Sequence, residues 1–198
     1  SITDMDSLHF ESVLQRAVNA MGTVSFLTRF VTPLVEQVGD LWRAGTLRAA
    51  QEHFCSAYLQ SFLGRMRVEA NPTAAGPVIV VATPPGHLHD LGALMVAIVA
   101  AQGGWQPLYL GASMPAEELL FAVQRKSARA LAVSMTYPPD DERIPGYISH
   151  LRQQLPGDVP LLLGGASMSV YAKKISLQNV YLPESLDAYH ALLPALRR

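Results

Sequence analysis

The sequence predicts an α/β protein in two parts, a bundle of four helices followed by a mostly parallel sheet covered by helices on both faces. Three observations predict it. Up to about Arg67 the apolar residues recur at three- and four-residue steps, the spacing of helices with one buried stripe. After the Pro- and Gly-containing stretch 69–77 they fall into short runs that alternate with helical stretches, the signature of a parallel sheet. The 198 residues are 49% hydrophobic, enough to bury one substantial core or two small ones.

In the first part the stripe runs through Leu8, Val13, Leu14 and Val18, then Phe26, Leu27 and Phe30, then Leu34, Val35, Val38 and Leu41. Gly22-Thr23 separates the first two helices. Pro33 is expected to begin a third, because its ring opposes continuation of the second. Gly45-Thr46 supplies a break and a cap before a fourth. This gives a helical bundle over 1–70, a linker over 69–77 and a second domain over 76–198.

The second domain is predicted to hold strands at 78–82, 107–110, 130–134, 160–163 and 180–182. Helices are expected at 91–101, 115–126, 144–155, 169–175 and 185–196. Ligands of such sheets bind beyond the carboxyl ends of the strands. The loops found there read Thr83-Pro84-Pro85-Gly86-His87-Leu88-His89-Asp90-Leu91-Gly92, Ser134-Met135-Thr136-Tyr137-Pro138-Pro139 and Gly164-Gly165-Ala166-Ser167.

Charge and cysteine content narrow the function. Lys and Arg total 15 against 16 Asp and Glu, a formal net charge of -1, which gives no general field for holding nucleic acid. Cys55 is the only cysteine, so an internal disulfide and a cysteine-rich zinc site are excluded. A reducing, cytoplasmic setting fits, and neither a signal peptide nor a membrane anchor is expected from the sequence.

The combination His89-x-x-Gly92, Ser134-x-Thr136 and Gly164-Gly165 resembles the cobalamin-binding fold of the methionine synthase and mutase type. The resemblance implies a Rossmann-like, flavodoxin-like domain. It also implies His89 as the lower cobalt ligand, with the cofactor's nucleotide tail buried along the sheet beside Ser134, Gly164 and Gly165. Independently of it, an imidazole on a glycine-flanked loop can reach a metal, and small residues let a bulky tail lie against the backbone.

In the first part, Trp42 is followed after nine intervening residues by Glu52-His53. With the second domain, this resembles the light-dependent CarH-type (MerR-family) transcriptional repressors. That resemblance implies a bundle capping the upper face of adenosylcobalamin, with Trp42 and Glu52 packed around the adenosyl group and His53 able to replace it after photolysis. The implied function is a light-sensing regulatory module rather than an enzyme, changing bundle position or homo-oligomeric state. DNA contact would come only through a helix-turn-helix domain absent from this chain.

The sequence departs from the family two residues before His89, where His87 replaces the usual carboxylate. His87 can be a hydrogen-bonding neighbour of the ligand, an alternative ligand or an exposed side chain. Each other residue also has a plainer reading: Trp42 as a core aromatic, Glu52 and His53 as helix surface, Ser134 as a cap, Gly164 and Gly165 as a turn. His9, His150 and His190 read as surface residues. A corrinoid methyl carrier and the same fold holding haem or a bilin are the alternative functions. A zinc hydrolase built on His87-x-His89 lacks a third ligand.

Overall fold

The computed structural model describes residues 1–70, 76–172, 175 and 177–197. The chain divides into two units, Ser1–Val68 and Glu69–Arg198. The expected linker residues 71–75, and Lys173 and Lys174 of the expected fourth helix of the second domain, lie outside the described residues.

The helical unit contains α1 (Ser7–Met21), α2 (Thr23–Phe26), a π-helical turn (Leu27–Val31), α3 (Thr32–Arg43) and α4 (Ala49–Glu69, crossing the unit boundary at its last residue). Asp6 caps α1 by accepting the His9 amide at 2.9 Å. Phe10, Leu14, Phe26, Leu27, Val31, Val38, Cys55, Leu59, Phe62 and Leu63 are buried. On α4 they recur at 55, 59, 62 and 63, the stripe of a helix with one covered face. Leu8, expected in the stripe of α1, is instead 84% exposed, and Phe10 takes its place.

The junction before Pro33 differs from the expected break. Leu27 and Thr32 keep right-handed helical dihedrals, so α2 runs into α3 through the π turn. A proline in a continuous helix removes one amide donor and crowds the carbonyl four residues back. Widening the preceding turn by one residue accommodates both effects. The Thr32 amide reaches the Leu27 carbonyl, and the Thr32 hydroxyl donates to the same oxygen at 2.9 Å.

The α/β unit has β1 (Val78–Ala82), α5 (Leu91–Gln102), β2 (Gln106–Gly111), α6 (Ala116–Arg125), β3 (Ala130–Ser134), α7 (Ile144–Gln154), β4 (Leu161–Gly164), α8 (Met168–Ala172), β5 (Val180–Tyr181) and α9 (Leu186–Leu196). All strand pairs are parallel, in the order β2-β1-β3-β4-β5. β1 and β3 match their expected bounds. β4 begins one residue later than expected and runs into Gly164, whose partner in register is Ser134.

The chain leaves β1 to one side and returns at β3 on the other, so the crevice between the loops after β1 and β3 is the topological switch point. α6, α7 and α8 share one core with the strands, built on Leu119, Val123, Ile148, Leu151, Met168 and Tyr171. α5 packs with β1, β2 and α9 and buries residues 93–95 and 97–101, too many for a single stripe. Among the described residues no helix is long and apolar enough to cross a membrane.

Candidate functional site

The loop after β1 is tied down at Thr83, which is fully buried. Its amide donates to Gly111 O at 3.1 Å, and its carbonyl accepts the Met114 amide at 2.9 Å. Its hydroxyl accepts the Ser113 amide at 2.9 Å and donates to His87 O at 2.5 Å. The His87 amide closes a turn on Pro84 O at 3.0 Å, and the Gly86 amide reaches Ser113 Oγ at 3.1 Å. The 83–87 segment is therefore fastened to the loop after β2.

This fastening turns the two loop imidazoles in opposite senses. His87 is completely buried, and neither ring nitrogen has a hydrogen-bond partner. Burial lowers its pKa, opposed by the nearby Asp141 carboxylate and assisted by Arg143 and His89. The exposed-side-chain reading of His87 is thereby corrected, and a ring enclosed in this way is not presented to a metal at the sheet mouth. His89 is exposed and meets the Tyr137 ring edge-on, with centroids 5.6 Å apart and planes at 83°. Asp90, which begins α5, accepts the Tyr109 hydroxyl at 2.6 Å.

Gly92 in the first turn of α5 faces the end of β3. A β-carbon there would stand 2.8 Å from Ser134 Oγ and 3.8 Å from Thr136 Oγ1. Ser134 is buried and paired in register with Gly164, where a β-carbon would enter open space. Gly165 is different. Its φ is +101°, and a β-carbon would lie 2.3 Å from Met135 O, so this glycine is required by backbone packing. Ser167 fixes the same turn, its amide donating to Met135 O at 3.1 Å and its hydroxyl to Thr136 O at 2.5 Å.

The loop after β3 also carries a pair that the sequence reading missed. Asp141 accepts from Arg143 Nη2 at 2.6 Å, Nε at 2.9 and 3.2 Å, and the Arg143 amide at 2.9 Å. The Arg143 hydrogen bond is the main cause that holds the Asp141 carboxyl down at about 2. Asp141 Oδ2 stands 4.0 Å from His87 Nε2. The Asp-x-Arg spacing was the available signal. Its link to position 87 spans 54 residues of sequence and depends on the fold.

In the helical unit, Trp42 lies in the last turn of α3 and Glu52 in the first turn of α4, so the short connection at 44–48 brings them to the same end of the two helices. Trp42 is 50% exposed, which corrects the core-aromatic reading. The Glu52 side chain is mostly covered. It accepts the Ser56 hydroxyl at 2.6 Å and pairs with His53 Nδ1 at 2.6 Å. The nitrogen that faces the carboxylate is Nδ1, and the His53 ring is exposed. His150, which lacked a partner in the sequence reading, stands 3.4 Å from Glu117 of α6.

Among the described residues no three His, Cys, Asp or Glu side chains are grouped to hold a metal ion by themselves.

A family model described as "B12 binding domain" matches residues 77–191, and a second with the same description matches residues 1–66. The chain is 29% identical over 162 residues to the HTH-type transcriptional repressor CarH of Myxococcus xanthus, covering 82% of this chain and 54% of that protein. It is 27% identical over 186 residues to CarA of the same organism, covering 93% and 62%. The chain thus spans less than two thirds of these relatives. The monomethylamine corrinoid protein of Methanosarcina barkeri has a similar fold, with a TM-score of 0.77 at 19% identity over 98% of this chain and 94% of that one.

The residues present suit a corrinoid. His89 offers an exposed imidazole beside the switch point, Gly164 leaves space where a side chain would stand, and Gly92 packs closely on the Ser134 hydroxyl next to it. Nothing in the comparisons supports haem or a bilin. The two model matches, the first covering more than half the chain, and the CarH-type similarity agree with this local chemistry: the chain belongs to the B12-binding domain family.

Proposed function

We propose that the chain is a light-responsive regulatory module that uses adenosylcobalamin, and that it is not itself an enzyme. The observation that carries this reading is the α3–α4 end of the helical unit, where a half-exposed Trp42 accompanies an anchored Glu52 carboxylate and an exposed His53. An indole face can stack on a purine, and a fixed carboxylate can accept hydrogen bonds from ribose hydroxyls. The similarity to CarH and CarA supports the same reading.

When bound, adenosylcobalamin supplies a light-sensitive cobalt–carbon bond and an exchangeable upper coordination position. In this reading His89 is the lower imidazole. Gly164 leaves room for the nucleotide tail beside Gly92, Ser134 and Thr136, with the Ser134 hydroxyl as a hydrogen-bonding group, and Gly165 holds the turn that presents them. Trp42 and Glu52 select the adenosyl group. His53, whose Nδ1 faces Glu52, would be a second imidazole for the metal. A ligand present in one state only supplies the differential free energy that a switch needs, read out as a change of homo-oligomeric state. In a longer protein carrying a helix-turn-helix domain, the change would reach DNA.

The test is to load the chain with adenosylcobalamin in darkness and to follow absorption and size-exclusion elution on illumination. Both are expected to change. His89→Ala should remove the imidazole signature, Trp42→Ala should weaken adenosylcobalamin more than hydroxocobalamin, and His53→Ala should bleach yet end in a different final spectrum. An unchanged elution volume and spectrum after light would refute the reading. A corrinoid methyl carrier is the second reading, favoured by the fold likeness along nearly the whole chain to the monomethylamine corrinoid protein. Methyl transfer from methylcobalamin-loaded chain to a thiol or amine acceptor by a partner methyltransferase would support it.

A further inference from the structure

The first loop has His87 where the family resemblance implies a carboxylate two residues ahead of the ligand histidine, and the structure brings another carboxylate to 4.0 Å from the Nε2 of His87. His87 is completely buried with both ring nitrogens unpartnered, a costly arrangement for a neutral imidazole. Asp141 Oδ2 is 4.0 Å from its Nε2, and the Asp141 side chain is only 6% exposed. Arg143 holds that carboxylate from Nε, Nη2 and its own amide. Arg143 also borders Gly86, where a β-carbon would come within 3.0 Å of Nη2.

We propose that Asp141 is a positioning residue for the first loop: its carboxylate, fixed by Arg143, selects the tautomer and orientation of the buried His87 ring and supplies from the loop after β3 the negative charge missing ahead of His89. The inference rests on the assignment of His89 as the ligand. A carboxylate facing Nε2 favours the proton on that nitrogen and leaves Nδ1 as a buried acceptor. At 4.0 Å the attraction acts across a gap that a bridging water or a displacement of about 1 Å would close. The family carboxylate sits beside its histidine in sequence. Here the same charge arrives through the fold, and a buried imidazole carries its influence to the loop.

The experiment needs no cofactor for its first arm. The full chain, labelled with 15N-histidine, is examined by ring proton–nitrogen correlation, with His87 assigned by comparison with His87→Gln. The wild type is expected to hold one tautomer, protonated on Nε2. Asp141→Asn should give a mixture or the opposite tautomer, and Arg143→Gln, which keeps the carboxylate but frees it, a smaller loss of preference. In the second arm hydroxocobalamin should bind about tenfold more weakly to Asp141→Asn, the usual scale for a group one step removed from a metal ligand. Asp141→Glu should recover part of that loss.

A wild-type ring protonated on Nδ1, a tautomer indifferent to Asp141→Asn, or an unaltered hydroxocobalamin affinity in that variant would each overturn the proposal. His89→Ala, run in parallel, separates the two ideas. If it leaves the bound spectrum unchanged, the ligand assignment fails, while the tautomer arm still decides whether Asp141 controls His87. Arg143→Gln keeps the first arm decisive if Asp141→Asn does not fold.

Discussion

Gly164 and Gly165 are adjacent in sequence and should fail in opposite ways. At Gly165 an alanine meets two penalties. Its φ of +101° is disfavoured for any residue with a β-carbon, at about 1–3 kcal/mol. The new methyl would also stand 2.3 Å from Met135 O and 2.7 Å from Met135 N and C, so backbone must move, which costs about 1–3 kcal/mol more. A loss of about 3 kcal/mol is expected, and with a urea slope of roughly 2 kcal/mol/M the midpoint should fall by about 1.5 M. Gly164→Ala enters open space and should leave the midpoint unchanged, yet weaken cobalamin binding by about tenfold, because the methyl occupies room proposed for the tail. Tryptophan fluorescence in a Trp42→Phe background reads this cleanly, since Trp105 is then the sole reporter and is fully buried in the α/β unit. Equal midpoints for the two alanine variants would refute the packing argument. A Gly164→Ala protein with native affinity would refute the assignment of that space.

Three further outcomes are expected. Cys55 has its thiol pushed up to about 11, by burial first and by the Glu52 charge second. It should resist alkylation at pH 8 in the folded chain and react on unfolding. Because its folded pKa is raised, the associated stabilisation is present below its ordinary value of 9.0 and lost as pH rises toward 11, which a series of alkaline melts would detect. Asp141 behaves in the reverse sense. Its depressed pKa contributes stability above 3.8 that disappears as pH falls toward 2, so Arg143→Gln should move acid unfolding to higher pH. Thr83→Val removes the hydroxyl shared by Ser113 and His87 while keeping the side-chain shape, and should cost about 1–3 kcal/mol in urea unfolding.

The sheet was legible because each strand is a short apolar run with its own boundary, and Val78–Ala82 and Ala130–Ser134 appear at their expected residues. The three spaced motifs marked the strand ends, where the fold brings Gly92, Ser134 and Gly164 to one place, while Gly165 follows the plainer reading of a turn glycine. What sequence alone did not give was direction. Nothing local says that His87 turns inward and His89 outward. That depends on Thr83 bonding to Ser113, 30 residues away. The Asp141–His87 approach escaped for the same reason, and the π turn escaped because proline was weighed as a helix breaker rather than as a residue that a wider turn can absorb.

The two ends of the strand order bear on how copies of this chain can meet. β2 lies at one edge, and since the Gln106 amide points to Pro77 O on the β1 side, the amide of the next residue would face outward. That residue is Pro107, which has none. At the other edge β5 is two residues long. Each margin is thus a poor template for an added strand: one lacks a donor where a neighbour would need it, and the other ends before a ladder could form. Under the proposed change of oligomeric state, sheet extension, whose register is hard to reverse, is disfavoured at both margins, which leaves side-chain contacts that can be made and broken repeatedly.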